Sequence, residues 1–198
     1  MSKRLSVIVL ASFVLLVLAG CSKPPEMEMQ KANAAFDAAK TAEAEAYVPD
    51  AYRAAMDTLN AAMAMKQEQD GKFALFRSYG KCKALFVKAE EMANQVATQA
   101  AAEKERVKAE VSNLLTEAKA ALDSAEVALK KAPKGKGTKA DIELIESELT
   151  ATRTAFDDAN ADFNAGKYLV ARGKVQTVIE KARGIQNEIA TAAQKKKK

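Results

Sequence analysis

Few side chains in this chain of 198 residues have the chemistry that catalysis needs. It contains two cysteines and no histidine, so the commonest general base and metal ligand is absent. No serine or cysteine stands in a recognisable nucleophile turn, and the adjacent carboxylates Asp157 and Asp158 point to different faces of a helix. Mutually supporting carboxylates from different helices are the alternative that the sequence leaves open. The sequence therefore predicts no catalytic residues, no metal site and no cofactor, and favours a protein that is not an enzyme.

The first cysteine, Cys21, follows a segment with the layout of a secretory signal. Lys3 and Arg4 precede an apolar stretch over 5–18, and small residues come next. This stretch is shorter than the roughly 20 residues of a membrane span. Residues 1–20 are therefore predicted to be a removable signal peptide. The alternative is an ordinary secreted or membrane-anchored protein in which the cysteine occurs by chance.

The four residues 18–21, Leu-Ala-Gly-Cys, resemble the lipobox of bacterial lipoproteins. The resemblance implies that diacylglycerol is attached to the thiol of Cys21, that the signal is cut just before it, and that the new amino group is acylated. Two or more acyl chains hold a protein stably, whereas a single chain binds marginally. Cys21 is then a covalent lipid anchor in the membrane and not a catalytic thiol.

Residues 21–30 are predicted to be a short lipidated tether, because Pro24 and Pro25 prevent a helix throughout. By resemblance to lipoproteins of bacteria with two membranes, Ser22 directs the protein to the outer membrane, facing the periplasm. Aspartate at that position would favour the inner membrane. The predicted location is the cell envelope, with the folded body close to the bilayer.

The distribution of charge argues against nucleic-acid binding. The net charge is +5, but it falls to +3 without Lys3 and Arg4 and to −1 when the lysine tail 195–198 is also set aside. Recognition of nucleic acid needs a clustered basic surface. The positive charge lies at the ends of the chain, so nucleic acid is excluded as a partner.

Composition and periodicity predict an all-α fold. The chain after the signal is dense in good helix formers such as Ala, Glu, Lys, Leu and Met, and it has no tryptophan and few glycines. Apolar residues at alternating spacings of four and three mark one helix face that should pack in the core. These residues are Leu75, Tyr79, Cys82, Phe86, Ala89, Ala93, Val96 and Ala100.

Internal repetition predicts two tandem antiparallel three-helix units, over 31–102 and 103–194, followed by the lysine tail. The aligned segments are 31–42 with 117–128, 80–97 with 173–190, and Gly71-Lys72-Phe73 with Gly166-Lys167-Tyr168 across a gap of two residues. Each unit should bury the apolar faces of its own helices.

The first unit is expected to contain helices over 30–46 and from Pro49 to about Gln69, because proline suits the opening turn of a helix. A third helix should begin near Lys72. No glycine or proline interrupts the chain over 81–132. This helix should therefore continue into the second unit and join the two units.

Such a shared helix would be roughly 80 to 90 Å long. Its middle, "EKERVKAEV" from Glu103, is predicted to be an exposed connector because it is too polar for deep burial.

The second cysteine, Cys82, has two interpretations. An unpaired thiol in an exported protein can form an intermolecular disulfide, whereas its place on the apolar stripe favours core packing. Aromatic side chains at helical spacing are likewise expected in the core rather than around a ligand. They are Phe73, Phe76, Phe86, Phe156, Phe163 and Tyr168.

The segment 130–139, "KKAPKGKGTK", is rich in lysine and glycine. It is expected to be a solvated loop, with contact to an anionic partner such as lipid headgroups or cell-wall polymer as the alternative. The spacing of a phosphate-binding loop is missing, so nucleotide binding is not expected.

Three features together resemble an uncharacterised helical domain of bacterial envelope lipoproteins: alanine-rich helices, "AYVPDAY" at 46–52, and the "GKF" and "GKY" turns. The first copy covers about 31–100, and the second matches less well. The "AGKY" turn is also similar to tetratricopeptide repeats, although the 34-residue period is absent. The resemblance implies a lipid-anchored helical module without family catalytic residues.

Two functions follow from these expectations. The first is a non-enzymatic spacer or docking module for other envelope proteins. The alternative is a tether to peptidoglycan through Lys198, because a C-terminal lysine of the major small helical outer-membrane lipoprotein is joined to the cell wall. A basic tail attracted to anionic surfaces, at about 1 kcal/mol per lysine, is the simpler interpretation of 195–198. A small-ligand carrier has no positive support.

Overall fold

The computed structural model describes residues 23–132 and 139–195, and over these ranges the chain is helical and has no strand. The predicted all-α class is confirmed. The described residues contain six α-helices and one short 3-10 turn, Ala74–Phe76. The helices are α1 Glu26–Thr41, α2 Ala44–Tyr47, α3 Pro49–Asp70, α4 Gly80–Lys131, α5 Lys139–Asn164 and α6 Tyr168–Lys195.

The chain divides into two compact units, the first ending at Glu103 and the second beginning at Lys104. Helix α4, with 52 residues, runs without interruption across this boundary, as the lack of glycine and proline predicts. Its start, however, was expected near Lys72 and lies at Gly80. The intervening residues 71–79 form a loop.

Local sequence accounts for the ends of the first three helices. Helix α1 begins directly after Pro25, four residues earlier than expected, and carries Glu26 and Glu28 in its first turn, where carboxylates suit the helix dipole. The expected helix over 30–46 is broken at Glu43, whose φ of 57° lies in the left-handed region. Helix α3 begins with Pro49 at its first position, as predicted.

The core of the first unit contains many alanines, which let the helices approach closely. Phe36 of α1 packs against Tyr52 of α3 with ring centroids 6.1 Å apart. The Thr58 hydroxyl of α3 lies 3.5 Å from the sulfur of Met92 of α4. The predicted stripe on α4 is buried from Tyr79 onward. Its buried members are Tyr79, Cys82, Phe86, Ala89, Ala93, Val96 and Ala100.

The second unit buries a similar stripe on α4 against α5 and α6. Val107 and Val111 are fully buried, so the prediction of an exposed connector over this stretch is wrong. Two valines four residues apart suffice to make an inner face, while the charged residues between them point outward. The Arg183 guanidinium of α6 lies 2.6 Å from Glu117 of α4, and the Gln186 amide donates to the Ala121 carbonyl at 2.9 Å.

Candidate functional site

The loop over 71–79, hereafter the 71–79 loop, joins α3 to α4 and is held by polar contacts to the end of α3. The Arg77 side chain donates to the backbone carbonyls of Lys72 and Asp70, each at 2.9 Å. The Ser78 N–H donates to the side-chain oxygen of Gln69 at 3.0 Å. Gln69 is one of two buried polar residues in the described ranges, and this bond accounts for its burial. The loop is therefore fixed by the structure around it.

Four ionisable side chains meet where the 71–79 loop begins and ends. The Tyr79 hydroxyl donates to Asp70 at 2.5 Å, and Lys66 lies 2.9 Å from the other oxygen of the same carboxylate. Lys66 also lies 3.0 Å from Glu26, the first residue of α1. This cluster connects the start of α1, the end of α3 and the start of α4.

The pKa values within this cluster move in the directions that mutual stabilisation requires. The hydrogen bond from Tyr79 and then that from Lys66 lower the pKa of Asp70. The bond to Asp70 raises the pKa of Tyr79, and bonds to Asp70 and Glu26 raise the pKa of Lys66. The groups hold their charges against one another, so the cluster is suited to fastening helices together.

A second ion pair lies next to this cluster. Lys83, in the first turn of α4, lies 2.7 Å from Glu28 of α1. Its hydrogen bond is the largest cause that lowers the pKa of Glu28. The start of α1 is thus joined to both α3 and α4.

The apolar side chains of the 71–79 loop face solvent. Phe73, Leu75 and Phe76 are 69%, 48% and 74% exposed, so the prediction that Leu75 continues the buried stripe and that the two phenylalanines are core residues is wrong. The two aromatic rings lie next to each other, with centroids 6.4 Å apart. Sequence analysis missed this surface because Phe73 and Phe76 match a helical spacing. The gap of two residues needed to align the repeats was the available signal that the two turns differ in structure.

The other predicted aromatic positions agree better with a core role. Phe86 is fully buried, while Phe156, Phe163 and Tyr168 are partly buried. Phe163 and Tyr168 pack with ring centroids 5.4 Å apart at the turn between α5 and α6.

Cys82 lies in the core of the first unit, as the packing interpretation predicts. Its side chain is fully buried, and the sulfur lies 3.4 Å from the carbonyl oxygen of Ala62 on α3. Burial raises the pKa of the thiol, which keeps it protonated and poorly nucleophilic.

The turn over 165–167 is the counterpart of the 71–79 loop in the second unit. Gly166 adopts a φ of 77°, which favours glycine, and its N–H donates to the Phe163 carbonyl at 3.0 Å. Lys174 of α6 lies 2.6 Å from Asp162 of α5 and is the largest cause that lowers the pKa of that carboxyl. The ion pair fastens α5 to α6 directly across the short turn.

The remaining surface features are open grooves. One between α4 and α5 has a volume of about 400 Å³ and contains the ion pair between Arg153 and Glu126. Of the basic segment 130–139, residues 133–138 lie outside the described residues. Lys130 pairs with Glu126 at 2.8 Å, and Lys139 lies 3.8 Å from Glu143.

The two residues predicted to carry covalent attachments, Cys21 and Lys198, lie outside the described residues. Across 23–132 and 139–195, no three histidine, cysteine, aspartate or glutamate side chains are grouped so as to hold a metal ion. None of the helices in the same ranges combines the length and apolarity needed to cross a membrane.

Comparison of the chain with protein-family models, with curated proteins and with solved structures finds no match.

Proposed function

We propose that this protein is a lipid-anchored component of the bacterial cell envelope, held by acyl chains on Cys21 and facing the periplasm from the outer membrane. Its helices act as a non-enzymatic spacer and docking module for other envelope proteins. The observation that carries this proposal is that the ionisable groups with shifted pKa values bind one another within the fold. In the second unit Asp162 of α5 pairs with Lys174 of α6. In the first unit Asp70 accepts from Tyr79, the residue before α4, and Lys66 joins α3 to Glu26 of α1. Groups used in this way support the role of a scaffold.

We also propose that each unit is an antiparallel arrangement of three helices that share α4. In the first unit the start of α1 lies beside the end of α3, through Glu26 and Lys66. In the second unit, Arg183 lies on α6 beside Glu117 of α4, while Arg172, earlier on α6, lies beside Glu110, earlier on α4. These two pairs favour a parallel course for α4 and α6, with α5 returning between them.

Removal of the Cys21 thiol tests the anchor. Cys21→Ala should leave an unlipidated precursor that retains residues 1–20, because the signal of a lipoprotein is cut after the cysteine is modified. Cys82→Ala is the matched control and should be processed normally, since Cys82 is buried in the fold. The measurement is the mass of the protein recovered from each strain. Normal mature protein in the Cys21→Ala strain would contradict the anchor.

Crosslinking in intact cells tests the docking role. Cells are crosslinked or left untreated, boiled in detergent, and separated into cell-wall sacculus and soluble protein, and proteins joined to this chain are identified by mass spectrometry. The proposal predicts defined envelope proteins in the crosslinked sample only. Uncrosslinked protein that stays on the sacculus through Lys198 would instead favour the peptidoglycan tether. That second candidate draws support from α6, whose helix extends to Lys195 at the start of the lysine tail.

A further inference from the structure

We propose that the 71–79 loop is a second membrane contact, in which Phe73, Leu75 and Phe76 enter the headgroup region of the bilayer that holds the lipid anchor. This inference rests on the proposed lipidation of Cys21 for the position of the bilayer. Exposed apolar side chains that lie together mark sites of contact with other molecules. Here the occupant is a lipid surface, because Glu26 lies at the same end of the first unit as the loop and Cys21 is only five positions before Glu26 in the chain.

The position of the loop follows from the ion pairs at the start of α1. Glu26 lies 3.0 Å from Lys66, and Lys66 bonds to Asp70, the residue directly before the 71–79 loop. The five residues from Cys21 to Glu26 span at most roughly 17 Å when fully extended. Lipid on Cys21 therefore holds this end of the unit near the membrane surface.

The construction of the loop supports insertion. Arg77 donates to the backbone carbonyls of Asp70 and Lys72, and the Asp70 carboxylate is bonded by Tyr79 and Lys66, so these polar groups at the base of the loop have partners. Phe73, Leu75 and Phe76 are left exposed, and the two aromatic rings lie next to each other. Interfacial elements bury their apolar face about 5 to 10 Å into the boundary between headgroups and acyl chains.

The surroundings of the loop suit an anionic surface. Met27, in the first turn of α1, adds a further apolar side chain that is 65% exposed. Lys81 follows the apolar residues in the chain, and Lys72 precedes them and pairs with Glu68 at 2.8 Å, so that carboxylate is balanced. A basic residue such as Lys81 close to an anionic membrane favours binding.

A single tryptophan reports on the depth of the loop, because the chain has none of its own. Phe76→Trp places it in the loop. Ala46→Trp is the matched control. It places the tryptophan at an exposed position of α2, which follows the end of α1 that is farther from the loop. Each lipidated protein is reconstituted in vesicles of phosphatidylethanolamine and phosphatidylglycerol, with and without bromine on the acyl chains. Tryptophan emission is then recorded.

The inference predicts a blue-shifted emission for Phe76→Trp and quenching by at least about half with brominated lipid, since bromine quenches only at contact distance. Ala46→Trp should show neither effect. Adding Phe73→Ser and Leu75→Ser to Phe76→Trp should weaken the quenching, and these exposed positions leave the fold intact. Unquenched emission from Phe76→Trp would overturn the inference. A blue shift that depends on protein concentration and is not accompanied by quenching from bromine would show that the loop contacts a second copy of the chain. That result would also overturn the inference.

The same samples separate this inference from the proposed function. The mass of the Cys21 peptide is measured in each preparation. Lipid on Cys21 without quenching at position 76 would support the anchor and contradict the membrane contact of the loop. A Cys21 peptide without lipid removes the proposed anchor, whatever the emission shows.

Discussion

The connection between α3 and α4 in the first unit and the connection between α5 and α6 in the second differ more than their sequences suggest. Both contain glycine followed by lysine and an aromatic residue. In the second unit, Tyr168 packs on Phe163 across a turn of three residues. In the first unit, Phe73 is the third residue of a nine-residue loop and faces solvent beside Phe76. The longer loop carries apolar side chains that no part of its own unit covers.

Backbone conformation explains how one motif produces two structures. Gly166 is in the left-handed region at a φ of 77°, and the chain reverses at once into α6. Gly71 has a φ of −71° and continues the helical path, so the reversal is left to the residues that follow. Arg77 and Tyr79 then fasten that longer path to Asp70. The same motif therefore forms a short turn with a packed aromatic ring in the second unit and a longer loop with exposed rings in the first.

Loss of the aromatic ring at each turn should have different effects on stability. Phe163→Ala should lower the free energy of unfolding by about 2 kcal/mol, less than the roughly 3–5 kcal/mol of a fully buried ring, because Phe163 is only partly buried. Phe76→Ala should change it by less than about 0.5 kcal/mol, since the ring is exposed. Chemical denaturation of both variants measures the difference. A large loss for Phe76→Ala would mean that the ring supports the fold.

Alanine at the two glycines should act in opposite directions. Gly166→Ala should destabilise the protein by roughly 1 kcal/mol, because a side chain is strained at this φ. Gly71→Ala should stabilise it by about 0.4–1 kcal/mol, because the conformation suits alanine and the new methyl group meets its nearest atom at 3.6 Å. Thermal unfolding measures both. Equal effects would show that the two turns share one backbone conformation.

Arg77 should matter more to the 71–79 loop than its neighbour Lys72. Arg77→Ala removes two hydrogen bonds to backbone carbonyls and should cost about 1 kcal/mol. Lys72→Ala removes one surface ion pair and should cost less than about 0.5 kcal/mol. Denaturation gives the two stabilities, and hydrogen exchange over 71–79 shows whether the loop alone loosens. Equal exchange in both variants would contradict the role of Arg77.

Acid should weaken the turn of the second unit more than that of the first. The pKa values of Asp162 and Asp70 lie below their ordinary value of 3.8, so both carboxylates stabilise the folded state above it. That contribution disappears as the pH falls through the lowered pKa values. The Asp162 side chain is 16% exposed and that of Asp70 42%, so solvent screens Asp70 more.

Unfolding between pH 6 and pH 2 tests this small difference. Asp162→Asn should remove more of the acid sensitivity than Asp70→Asn. The reverse order would show that Tyr79 and Lys66 make Asp70 the more important carboxylate.

Sequence analysis predicted the helices well because their signal is local. The spacing of Cys82, Phe86 and Ala89 needs no knowledge of other helices to mark a buried face, and Pro49 marks its own helix start. The same rule failed at Phe73 and Phe76, whose spacing is also helical. Their exposure results from contacts made by Arg77 and Gln69, which depend on the folded end of α3.

The polar stretch from Glu103 failed for a related reason. Average polarity predicted exposure, but burial is decided by the inner face alone, which here consists of Val107 and Val111. The cluster of Glu26, Lys66, Asp70 and Tyr79 connects α1, α3 and the residue before α4, and it has no signature along the chain. Contacts between residues that are distant in the chain and brought together by packing cannot be predicted from the sequence pattern alone.

The mass of the N-terminal peptide of the protein extracted from bacterial membranes tests the lipid anchor most directly. We predict a peptide that begins at Cys21 and carries at least two acyl chains, with diacylglycerol on the thiol. A peptide that retains residues 1–20, or one with an unmodified Cys21, would contradict the anchor on which the proposed function rests.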